Sequence, residues 1–224
     1  MLTADPHAPF AHDADYLQLE YRWLRARSKR LAAGLLVDEL CEAQFASDHS
    51  RLSKISYRDA HLSHVDHAAD EERLRRQIDA RLEVHRAERP KHPLGLDRIA
   101  REHGLDAAGR MLVLAAALPG VSQRYAEEVL GDFVTFHGAL SVDDLCRLLD
   151  PRSLREHLKA RALFHEDAPL RRRGLLLIEE PSGELGPETL HSLEVRVSLA
   201  TWGVLFGFPQ VVDEAGGALA AGLF

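Results

Sequence analysis

Apolar residues recur at helical spacing along most of this chain and alternate like a strand in only one short stretch. In the first ninety residues the apolar stripes are narrow, and the remaining helix faces are charged. The spacing predicts one helix that Asp13 or Asp15 caps and that runs to about Phe45, and another from about Asp70 to Glu88. The stripe residues are Leu17, Tyr21, Leu24, Leu31, Leu35, Leu74, Ile78 and Leu82. Narrow stripes are typical of a helical hairpin or coiled-coil arm. We therefore assign residues 1–90 to a helical arm, which Pro90 and Pro93 terminate.

A denser apolar pattern, from residue 94 to residue 208, predicts a second domain. Gly104 stops its first short helix, and Asp106 is a good N-cap for the next one. That next helix is apolar on all sides and is expected to be the buried centre of the domain, with Met111, Leu112, Leu114, Ala115 and Leu118 facing inward. We expect it to end at Pro119-Gly120, and a third helix to start at Ser122 or Gln123.

The sequence pattern over the rest of this domain predicts two more helices and a β-hairpin. Ser141 and Asp144 are spaced as a capping box at the start of one helix, and the next presents an apolar stripe of Leu154, Leu158 and Leu163. A short apolar run over 175–178 and an alternating run over 188–197 predict two paired strands, joined by a turn rich in Gly and Pro. The predicted fold is mainly α: a helical arm followed by a winged-helix-like domain with one β-hairpin. We expect this domain to bury its leucines in a packed body, and residues 209–224 to form a flexible tail.

Composition and charge set the class of protein. The chain has 224 residues, 46% of them hydrophobic, and a formal net charge of −7. Its two cysteines, Cys41 and Cys146, make no disulfide framework and predict buried reduced thiols. The N-terminus lacks the pattern of a signal peptide, and no apolar stretch approaches the roughly 20 residues that span a bilayer. These features predict a cytoplasmic protein that does not contact a membrane.

Two groups of basic side chains in the arm are candidate binding sites. The arginines and the lysine over residues 22–30 are interpreted as a solvated helix face. His61, His64 and His67 recur every three residues, and imidazoles close together can hold zinc or nickel. Metal sites favour tighter pairs or histidines four residues apart, so solvated histidines are the preferred interpretation. No cofactor or metal is predicted.

Four segments carry a resemblance to a known family: LDRIAREHGLDAAGRMLVLAAALPGVSQRYAEEVLGDFV, LCRLLDPRS, DAPLRRRGLLLIEE and LHSLEVRV. They resemble the winged-helix region that precedes the ATPase module in a family of bacterial AAA+ ATPases accompanying contractile injection systems. Gly104 to Arg110, Val113 to Pro119 and Ala168 to Leu177 match that family's phrases, and the similarity covers residues 94–207. The resemblance implies a region that recruits a partner or substrate.

No catalytic motif accompanies this resemblance. A P-loop requires G-x-x-x-x-G-K-[ST], and none of the four lysines follows a glycine. The signatures G-x-S-x-G, H-E-x-x-H, C-x-x-C and G-x-G-x-x-G are missing as well. We therefore expect this chain not to be an enzyme, although an AAA+ module can be linked to it in the natural gene.

Two functions remain open from the sequence. The first is a protein-interaction or adaptor domain, whose partner is an AAA+ module or its substrate, with self-association through the N-terminal helices. The second is a DNA-binding winged-helix regulator. Residues 94–207 carry 17 acidic and 13 basic side chains, and the helix over 141–150, taken as the recognition helix, is acidic, which disfavours nucleic acid. The one basic cluster, Arg171, Arg172 and Arg173, is the predicted partner contact; the alternative is a turn that pairs with carboxylates beside the wing.

Overall fold

The computed structural model describes residues 8–46, 57–131, 139–178 and 193–208. Helices dominate these ranges, and three short strands complete them. In chain order the elements are α1 Asp13–Ala46, α2 Tyr57–Glu88, α3 Gly95–Glu102, α4 Ala107–Val121, α5 Gln123–Leu130, β1 Leu140–Ser141, α6 Val142–Leu148, α7 Leu154–Ala162, α8 Pro169–Arg172, β2 Leu176–Ile178, β3 Glu194–Val197 and α9 Leu199–Leu205. The predicted tail, residues 209–224, lies outside the described ranges, as does the turn between β2 and β3.

The first two helices form an antiparallel hairpin that packs against the later helices. Their buried side chains, such as Leu24 and Ile78, belong to the same hydrophobic cluster as those of α4, α6 and the strands. Glu20 of α1, 2% exposed, links the hairpin to the rest, because it accepts hydrogen bonds from Arg75 of α2 and Arg110 of α4. The sequence left open whether the arm pairs with itself, with a partner or with the second domain. In the structure it packs against the rest of its own chain. The boundary near residues 90–94 stays a prediction.

Helix α4 is the centre of the fold, as its all-round apolar surface predicted. Every residue from Met111 to Leu118 is buried. The Asp106 carboxylate accepts a 2.8 Å hydrogen bond from the Gly109 amide and caps its start. The expected end was wrong by one residue, because Pro119 lies inside the last turn and α4 continues to Val121. Proline has no backbone N–H, so α4 lacks one helical hydrogen bond at this position but continues past it.

The strands form one antiparallel sheet in the order β1-β3-β2. Strands β2 and β3 are the predicted hairpin, and Ile178 lies opposite Val195 in their register. Strand β1 was not expected: Leu140 pairs with Val195 on the other side of β3. Two residues are too few to show an alternating pattern, so only the tertiary pairing reveals this strand. The mainly α, winged-helix-like fold is confirmed, with a three-stranded sheet in place of an isolated hairpin.

The predicted helix caps around this sheet are confirmed. Ser141 forms a reciprocal capping box with Asp144 at the start of α6. Helix α5 starts at Gln123, as predicted, and the Ser122 hydroxyl caps it. None of the described helices is both long enough and apolar enough to cross a membrane.

Candidate interaction surface

Helix α7 occupies the position of a recognition helix. Helices α6, α7 and the short α8 lie between β1 and β2; α6 and α7 are in contact and are joined by residues 149–153, and we interpret them as the helix-turn-helix element of the fold. In such an element the second helix is presented to the ligand. The sequence predicted this role for residues 141–150; with β1 placed before α6, the chain order gives the position to α7 instead. The acidic α6 is the supporting helix, and α7 is the presented one.

Most of α7 is exposed to solvent. Only Ala160 within the helix is buried, and Phe164 just beyond it anchors the same side. The opposite side carries Leu154 and Leu158, with exposed fractions of 76% and 61%. The expectation that this domain buries its leucines was therefore wrong for α7. Helical spacing identified the apolar stripe, but it could not show that Ala160 faces the body and turns the leucines outward.

Basic side chains border these leucines. We name the outward face of α7 the α7 stripe: Leu154, Leu158 and Ala162, one turn apart, flanked by Arg155 and Lys159 on one side and by Arg161 on the other. Among the described residues, no carboxylate forms an ion pair with Arg155 or Lys159. Arg161 lies 3.8 Å from the Asp143 carboxylate of α6. The stripe thus combines exposed apolar area with positive charge.

The arm holds the turn that precedes α7. Arg27 donates a 2.8 Å hydrogen bond to the carbonyl of Leu148, the last residue of α6. Arg30 donates to Asp150 at 3.1 Å and to Glu71 of α2 at 2.6 Å. Asp150 adopts a φ of 57°, a left-handed conformation that aspartate tolerates better than most residues.

The surroundings of Arg30 favour its positively charged form, which its contacts with Glu71 and Asp150 require. Burial alone would lower the pKa of its guanidinium, but the hydrogen bonds and charges of Glu71 and Asp150 raise that pKa above its ordinary value. Arg27 and Arg30 had been interpreted as part of a solvated face. Their partners lie about 40 and 120 positions away in the sequence, so local pattern could not reveal them.

The three predicted contact arginines do not form one patch of exposed charge. Arg171 is half-buried and donates to the Phe164 carbonyl at 3.4 Å, and Arg173 donates to the His103 carbonyl at the end of α3. Arg172 is exposed at the end of α8. Two of the guanidiniums thus hold backbone carbonyls of their own chain. Their role in partner contact stays a prediction.

The histidines of α2 are not gathered into a metal site. His64 donates from Nδ1 to the Arg30 carbonyl at 3.0 Å, and the His61 ring stacks on Tyr57. Among the described residues no group of three or more His, Cys, Asp or Glu side chains could hold a metal ion. Burial raises the pKa of the Cys146 thiol to about 11, so this cysteine is a neutral core residue near neutral pH.

A cleft beside the N-terminal segment collects titratable groups, and several of them have structural partners. The two ring nitrogens of His85 face the carbonyls of Phe10 and His92 at 3.2 and 2.8 Å. Arg89 donates to the Phe10 carbonyl, and the Asp13 carboxylate accepts from the Gly95 amide. Burial raises the pKa of Asp13. These bonds fix residues 10–13 against the end of α2 and the start of α3.

The comparison with known proteins agrees with this topology. The family model described as "Winged helix domain, variant" matches residues 2–215. No curated protein and no solved structure matches the chain. The match covers the α1–α2 hairpin together with the helix-turn-helix and the sheet. The chain therefore belongs to the winged helix domain, variant, family.

Proposed function

We propose that this chain is a non-catalytic protein-interaction module and that the α7 stripe is its contact surface. The observation that carries the proposal is the outward direction of Leu154 and Leu158 on the presented helix. Because these two leucines are exposed, a partner can cover them without breaking contacts inside the protein. Apolar burial of this kind is the main favourable term in protein association. The basic flanks would orient the partner and speed its approach.

The family resemblance supports a more specific role. In bacterial AAA+ ATPases that accompany contractile injection systems, a winged-helix region precedes the ATPase module. We propose that this chain likewise recruits a partner or a substrate for such an ATPase. The support is the match of residues 104–110, 113–119 and 168–177 to that region, together with the winged-helix family assignment.

DNA binding is the alternative, and the position of α7 favours it. Arg155, Lys159 and Arg161 could neutralise phosphates from a recognition helix. However, a helix in the major groove reads base edges chiefly with polar side chains, and here the most outward residues are leucines. The connection between β2 and β3 also carries four glutamates and no lysine or arginine, so a duplex that extended from α7 across the wing would meet negative charge. A protein partner fits both features better.

The proposed function predicts that cellular partners depend on the leucines. Tagged protein is expected to recover a partner from lysate of the source organism, and the double variant Leu154→Asp/Leu158→Asp should lose most of that recovery because it puts charge into an apolar contact. Leu199→Asp, at a half-exposed leucine of α9, is the matched control and should retain recovery. Both variants should keep the circular dichroism spectrum of the parent.

A titration with random duplex DNA completes the experiment. In fluorescence anisotropy at low salt, we expect weak binding that Arg155→Glu/Lys159→Glu changes little. Micromolar, steeply salt-dependent binding that this pair abolishes would contradict the proposal and establish the regulator instead.

A further inference from the structure

The chemistry of the α7 stripe specifies the kind of segment it takes. Resting on the proposed function, we infer that the stripe docks an amphipathic helix whose apolar face is bordered by carboxylates. Leu154, Leu158 and Ala162 lie on one line along α7, and this line is about 12 Å long at 1.5 Å per residue. A partner helix of about three turns would cover it.

The shape of the surface favours a helix over an extended strand. The stripe lies on the convex side of a single helix, anchored from behind by Ala160 and Phe164. Ridges of side chains spaced four residues apart pack into the matching grooves of another helix. An extended peptide is usually captured by pairing with a sheet edge, whereas α7 is a helix and presents no strand edge.

The charge of the surface favours an acidic partner. Residues 152–162 carry four basic side chains and one acidic side chain, whereas the whole chain has a net charge of −7. The one acidic residue, Glu156, accepts a 2.6 Å hydrogen bond from the Arg152 amide and is used in the helix cap. Arg155 and Lys159 are exposed beside the leucines, and no described carboxylate pairs with either. Carboxylates on a docked helix would supply the missing partners.

Self-docking through the wing is a weaker fit. The four glutamates between β2 and β3 are acidic, but their segment includes Pro181, Pro187 and two glycines, which break helices. The inferred partner is therefore a separate helical segment rich in large aliphatic residues, such as leucine, and in carboxylates.

The test uses three labelled probes and the full chain. The acidic probe is an alanine-based helical peptide of about 15 residues, long enough to be helical in water, with leucines on one face and glutamates on both borders. The basic probe has lysine in place of every glutamate. The third probe is random duplex DNA, and anionic phosphatidylglycerol vesicles serve as a competitor.

We expect the acidic probe to bind at least about tenfold more tightly than the basic probe, because Arg155 and Lys159, which no described carboxylate pairs, flank the apolar stripe. Leu154→Ala/Leu158→Ala should weaken the acidic probe about tenfold with only a small decrease in the unfolding midpoint. Arg155→Glu/Lys159→Glu should reverse the preference between the two peptides. Arg124→Glu, at an exposed arginine of α5, should leave it unchanged.

The outcomes separate the two proposals. Equal binding of both peptides, or stronger α7-dependent binding of duplex DNA or vesicles, would overturn the inferred partner chemistry. If the leucine variants still lost their cellular partner in that case, the proposed function would stand while this inference failed. If the leucine variants affected neither the probe nor the cellular partner, both would fail.

Discussion

Replacing Glu20 by alanine is expected to lower the free energy of unfolding by about 3–5 kcal/mol, the range typical of removing one partner from a buried ion pair. The Glu20 carboxylate is 2% exposed and accepts hydrogen bonds from Arg75 at 3.1 Å and Arg110 at 3.2 Å. Its loss leaves both guanidiniums largely buried without this carboxylate, although Arg75 keeps its ion pair with Asp79. Urea unfolding followed by circular dichroism measures the change.

A surface glutamate on α2 provides the control for this prediction. Glu72 forms an exposed ion pair with Arg76, and both side chains are at least 70% exposed. Glu72→Ala is expected to change stability by at most about 0.5 kcal/mol, as surface pairs usually do. Equal stability of the Glu20 and Glu72 variants would contradict the claim that the Glu20 cluster joins α1, α2 and α4.

Leu114→Ala is the second large effect, and we expect it to cost about 2–5 kcal/mol through lost apolar burial and a residual cavity. Leu114 is fully buried in α4, whose neighbours on every side are other core residues. Leu158→Ala is the matched control on α7, because the same side chain is 61% exposed there. That variant should lose less than about 1 kcal/mol.

The comparison of these two leucines separates a core role from a docking role. Thermal unfolding of both variants should show a large decrease in midpoint for Leu114→Ala and a small one for Leu158→Ala. A large decrease for Leu158→Ala would mean that α7 packs its leucines inward, against the geometry on which the proposed function rests.

The sequence predicted the features that local chemistry determines. The all-round apolar surface of α4 required burial, and the side chains of Asp106, Ser122 and Ser141 sat where the first free amides of their helices need acceptors. Strands β2 and β3 were visible as an apolar run and an alternating run. These patterns were sufficient for the fold class.

What the sequence could not show depends on distant parts of the chain. Strand β1 exists only through its pairing with β3, and without it the sequence predicted the recognition helix at residues 141–150. The direction of the α7 leucines depends on which side Ala160 presents to the body. Arg27 and Arg30 looked like solvated residues because Glu71 and Asp150 lie far along the chain.

The proposed function depends most on contact between the α7 stripe and a protein. Site-specific photocrosslinking tests it directly, with benzoylphenylalanine placed at position 158 in the full chain and, as the control, at position 124 on α5. We predict a discrete protein adduct from position 158 and none from position 124. Equal labelling at both positions, or adducts at position 158 that nuclease removes, would contradict the account.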